Sequence, residues 1–96
     1  MEITFLGTSC MVPTKDRNHQ GIFCLHNGEG VLVDCGEGIQ RQLKIAEIKP
    51  SKINAILISH WHGDHVLGLP GLLQTLNASD YEKKLHLNSY SSVVLI

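Results

Sequence analysis

Apolar residues along this chain fall into short runs of two kinds, alternating and continuous, divided by glycine, asparagine and proline breaks. Residues 2–6 alternate and predict an opening strand closed by Gly7. Residues 8–20 are polar and read as a loop holding Pro13, Lys15, Arg17, Asn18 and His19. Residues 22–26 and 31–35 predict two more strands. Asn27-Gly28 between them is a strong signal for a two-residue hairpin, so the three strands should form one antiparallel meander. Gly36-Glu37-Gly38 breaks the chain before a helix over residues 39–48, with Ile39, Leu43 and Ala46 on its inner face and Pro50 as its stop. Residues 53–58 are almost unbroken apolar, as expected of a strand buried on both faces. Pro70 suits the first turn of a short helix through Leu76, residues 78–84 are a polar connection, and residues 85–87 begin another strand. Strands and helices alternate without repeats, which places the fold in the α/β or α+β class.

Composition narrows this little. The chain has 96 residues, is 43% hydrophobic and 18% charged, and carries a net charge of −1, an ordinary globular balance. That charge gives no global pull toward nucleic acid or an anionic membrane, so any RNA contact must come from a local patch. Cys10, Cys24 and Cys35 are odd in number and widely spaced, which favours buried thiols in a reducing compartment over a disulfide framework. The N-terminus has neither the basic nor the apolar region of a signal peptide, and no apolar run approaches the ~20 residues of a membrane span. The expectation is a soluble, cytoplasmic protein with no membrane association.

The chemistry is concentrated in Ser59-His60-Trp61-His62-Gly63-Asp64-His65. Three imidazoles and a carboxylate are donors suited to a divalent metal. Residues two apart share a side on extended chain but not on a helix, so His60 and His62 can grip one ion just past a strand end. Gly63 then lets the chain turn, and Asp64 and His65 face a second position. With six histidines in the chain, this spacing arises by accident in roughly one chain in a thousand.

The motif, following a buried strand, resembles the metallo-β-lactamase superfamily. Two further segments resemble ribonuclease Z, the tRNA 3′-end endonuclease family: Asp34-Cys35-Gly36-Glu37-Gly38-Ile39-Gln40-Arg41-Gln42-Leu43, and the loop Pro13-Thr14-Lys15-Asp16-Arg17-Asn18. Phe5-Leu6-Gly7-Thr8 and Gly68-Leu69-Pro70-Gly71-Leu72-Leu73 fit the same pattern. The resemblance covers residues 2–87 and implies the N-terminal half of an αββα sandwich, with residues 88–96 an atypical end. It implies a zinc-dependent endoribonuclease that removes 3′ trailers from precursor tRNA, with two zinc ions per complete site, and a homodimer. Position by position, His60 and His62 resemble the ligands of the first zinc. Asp64 and His65 resemble those of the second, with Asp64 also the proton acceptor. Asp34 resembles the aspartate that supports the site from beneath, a role compatible with capping the turn after its strand. Lys15, Arg17 and Asn18 resemble substrate-loop residues, although judged alone Lys15 and Arg17 are equally two solvated charges. His19, His26 and His86 match no ligand position and read as surface or loop histidines.

The family's downstream histidine and aspartate motifs and its tRNA-binding arm have no counterpart here. The apolar end at residues 93–96 carries no terminating signal, and the chain reads as truncated or altered at its end. Two alternatives stand beside the nuclease reading: an inactive or partner-completed module, and a related metallo-hydrolase acting on a small phosphodiester or ester. A half-sandwich should also leave an apolar sheet face open to association.

Overall fold

The computed structural model describes residues 1–9, 12, 14–79 and 81–89. Its elements are β1 (Glu2–Gly7), β2 (Gly21–His26), β3 (Glu29–Val33), α1 (Ile39–Ile45), a 3₁₀ turn (Pro50–Lys52), β4 (Ile53–Ile58), α2 (Gly63–Val66), α3 (Leu69–Ala78) and β5 (His86–Ser89). The strands form one sheet in the order β1-β2-β3-β4-β5. The first three are the expected antiparallel meander, and β4 and β5 join in parallel through the α1 and α3 crossovers. Asn27 (φ 50°) and Gly28 (φ 79°) make the tight turn, both left-handed as a type I′ hairpin requires.

That turn explains one correction. His26 pairs directly with Glu29, so β3 starts two residues earlier than expected, and it ends at Val33 because Asp34 turns out of extended conformation at φ 63°. Helix α1 is also shorter than expected. Glu47 adopts φ 60°, and Ile48 N–H bonds to the Leu43 carbonyl at 2.9 Å while Glu47 N–H bonds to that of Lys44 at 3.1 Å. This is a Schellman ending with glutamate where glycine usually stands. It folds Ile48 onto the core and leaves Ala46, expected inside, exposed. Helix α3 runs to Ala78, two residues past its expected end, and β5 continues through Asn88 and Ser89.

The core lies on one face of the sheet. Phe23, Leu32, Ile53, Ile56 and Ile58 meet Ile39 and Leu43 of α1 and Leu69, Leu72 and Leu76 of α3. The other face is lined in register by Ile3 and Phe5, Ile22 and Cys24, Val31 and Val33, then Ala55 and Leu57. No described element covers it: Phe5 is 67% exposed, Ile3 55% and Leu57 41%. Burial of β4 on both faces is therefore not met among the described residues. The apolar end at 93–96 and Cys10 lie outside them.

Candidate metal centre

The parallel pair β3–β4 delivers every group of the centre to one end of the sheet. Asp34 follows β3, and Ser59 follows β4. The Asp34 N–H bonds to the Leu57 carbonyl at 2.8 Å, and its left-handed turn brings the carboxylate back across the strand ends. There Asp34, 3% exposed, accepts the Ser59 backbone N–H (2.8 Å), the Ser59 hydroxyl (2.9 Å) and His65 Nδ1–H (2.8 Å). With its hydroxyl proton given to Asp34, Ser59 accepts from His60 Nδ1 at 3.1 Å. Nδ1 of each imidazole is thereby engaged, which fixes the ring orientation and turns Nε2 away from Asp34 and Ser59, an arrangement typical of metal-ligating histidine.

His62 lies on extended chain, the His60 and His62 ring centroids are 4.4 Å apart, and the His60 and His65 rings are 3.9 Å apart. Asp64 and His65 sit instead on the short helix α2, which starts at Gly63. Asp64 Oδ2 stands 3.2 Å from His65 Nε2. Among the described residues no three His, Cys, Asp or Glu side chains form a ready-made metal cage. The donor set fits a borderline divalent ion in type, and gathering it around one ion requires Asp64 to swing away from His65 Nε2.

Backbone bonds lock the parts together. Cys35 N–H reaches the His65 carbonyl at 2.7 Å, and Gly68 N–H reaches the Cys35 carbonyl at 3.0 Å. A Cβ on Gly68 would come 2.0 Å from the Gly36 oxygen, so only glycine permits this approach. Cys35 is fully buried behind the centre. Burial, and then the Asp34 charge beside it, push its thiol up to about 12.

The other sequence-derived residues divide. Lys15 and Arg17 are exposed on their loop, whereas Asn18 is half-buried and its side-chain amide donates to the Glu37 carbonyl at 2.7 Å. His19, expected at the surface, is 6% exposed and bridges to Ser9, because the loop base packs against Gly36. Sequence reasoning gave Ser59 no role, although it opens the motif. A hydroxyl one residue before a ligand-type histidine was the available signal. Trp61 alternates away from His60 and His62 and donates from Nε1 to Ser89 Oγ at 2.9 Å.

The family model described as anti-Pycsar protein Apyc1 matches residues 1–94. A curated ribonuclease Z of Methanocaldococcus jannaschii is 54% identical over 88% of the chain, which covers 27% of that protein. The crystal structure of human tRNase Z, short form, superposes with a TM-score of 0.82 at 43% identity, over 88% of this chain and 32% of that one. A metallo-β-lactamase fold protein of Bacillus subtilis superposes with a TM-score of 0.81 at 22% identity, over 91% of this chain and 35% of that one, and shares the fold. By these matches the chain belongs to the family described as anti-Pycsar protein Apyc1, has the metallo-β-lactamase fold, and is similar to ribonuclease Z, spanning 27% of the Methanocaldococcus relative.

Proposed function

We propose that this chain is part of a zinc-dependent endoribonuclease that removes 3′ trailers from precursor tRNA in the cytoplasm. His60, His62, Asp64 and His65 would hold zinc, Asp64 would also accept a proton, and Lys15, Arg17 and Asn18 would belong to the substrate loop. The observation carrying the reading is the orientation of two rings: Asp34 and Ser59 tie down Nδ1 of His65 and His60, so the Nε2 atoms of both belong to the cluster that also contains His62 and Asp64. The similarity to human tRNase Z supports tRNA as the substrate class. Zinc in such a site supplies Lewis-acid polarisation of a phosphate and an acidified water. Asp34, buried and charge-assisted, keeps His65 oriented for this work.

Four donors are fewer than two zinc ions need. The 96-residue chain should therefore hold zinc weakly and cleave tRNA only when the remaining part of a relative is supplied. The assay is incubation with a 3′-extended tRNA and added zinc, with and without that part as a separate polypeptide. Cleavage after the discriminator nucleotide, lost on Asp64→Ala, is expected only in the mixture. Failure of the mixture to cleave, with both polypeptides folded, would overturn the reading. The open apolar face of the sheet supports a homodimer. A second reading, a hydrolase of small phosphodiesters, is favoured by one finding: the family description names a protein other than ribonuclease Z. Turnover of a chromogenic phosphodiester without tRNA cleavage would select it.

A further inference from the structure

We propose that Asn18 is a positioning residue that pins the loop carrying Lys15 and Arg17 to the turn beside the metal centre. The inference rests on the substrate role proposed for that loop and reassigns one of its three residues. Lys15 and Arg17 are exposed, and Thr14 N–H bonds to the Arg17 carbonyl at 2.9 Å, closing the loop tip on itself. Below the tip, residues 18–20 are each fastened. Asn18 Nδ2 donates to the Glu37 carbonyl at 2.7 Å, and the Asn18 carbonyl accepts Ser9 N–H at 2.8 Å. The Gln20 carbonyl accepts Gly36 N–H at 2.9 Å, and His19 packs against Gly36.

The anchor is shaped for this amide. Gly38 holds φ 84°, and a Cβ there would stand 2.7 Å from Asn18 Oδ1, so the bare glycine leaves the space that the side chain fills. Asn18 thus spends its donor inside the protein, while Lys15 and Arg17 keep theirs for a phosphate-bearing ligand. The anchoring segment is also the one that serves the centre. Residues 34–38 carry Asp34, and the space above Gly36 lies between the Asp64 carbonyl and the His19 Cβ, each 2.5 Å from a Cβ built there. Loop cations and metal donors are therefore referenced to one stretch of backbone, and Asn18 is the side chain that makes the connection.

Limited trypsinolysis tests this, because trypsin cuts after Lys15 and Arg17, and a pinned loop resists it. Asn18→Ala, and the isosteric Asn18→Asp that cannot donate to Glu37, should both speed cleavage at these two sites about tenfold. Cleavage after Lys44 and Lys52, in α1 and ahead of β4, should not change. Unchanged cleavage in the loop would overturn the proposal, and so would an equal rise at Lys44 and Lys52, since Asn18 would then serve the fold at large. Weaker binding of 3′-extended tRNA by Asn18→Ala with loop cleavage unaltered would also overturn it, making Asn18 a direct contact. Protection of Lys15 and Arg17 by tRNA in the unaltered chain checks the underlying substrate reading separately. Its failure removes the loop's ligand without touching the anchor.

Discussion

Asp34 holds φ 63°, a conformation that asparagine and aspartate tolerate better than most residues, and three donors converge on its carboxylate. The turn is what aims the carboxylate at His65, so its modest strain is offset by charge-assisted hydrogen bonds. Asp34→Ala should therefore lower zinc affinity by roughly 10–100-fold while far-UV circular dichroism stays unchanged. Equal affinity in a zinc titration would mean that His65 needs no partner. Its neighbour Cys35 gives a pH prediction. The folded thiol, near 12, stays protonated where an unfolded one, near 9.0, ionises. The native state then binds the proton more tightly, so the associated stability is intact below pH 9 and is lost as pH rises toward 12. Urea midpoints should fall over that window, and less so in Cys35→Ala. Asp34 was legible from its place in the motif, but its pairing with His65 was not, since residues far apart in sequence meet only through the β3–β4 register.

Elements were read well where local chemistry decides them. Asn27-Gly28 encodes the hairpin by itself, and nothing lies within 4 Å of a Cβ at Gly28. Gly28→Ala should then cost only the left-handed strain, about 1 kcal/mol, by urea unfolding. Glu47 is the converse case, a side chain at φ 60° where glycine is usual. Glu47→Gly should stabilise the chain by about 1 kcal/mol, and a loss would show that the Schellman ending is not strained there. Helix α1 was overestimated because the apolar spacing continues to Ile48, whereas the chain leaves the helix at Ala46 to turn that residue inward. Periodicity records which side chains go inside and not the backbone path that takes them there.

At the scale of the whole molecule the dominant feature is the asymmetry of the sheet. One face packs α1 and α3, and the other carries an apolar surface across β1–β4 with Phe5 67% exposed. The 96-residue chain should therefore associate with rising concentration, and Phe5→Lys with Leu57→Lys should shift it toward monomer in sedimentation equilibrium. A strictly monomeric chain at high concentration would show that the face is tolerated in water. The sequence by itself determined the meander, the strand β4, and the clustering of candidate donor side chains in residues 59–65, because turn propensity, apolar runs and donor spacing are local properties. Only the tertiary structure decided that Asp34 and Ser59 hold Nδ1 of His65 and His60, that Asn18 faces inward while Lys15 and Arg17 do not, and that one side of β4 stays open. Each of these depends on which distant segments share a strand end or a face, and chain packing, rather than any single stretch of residues, sets that geometry.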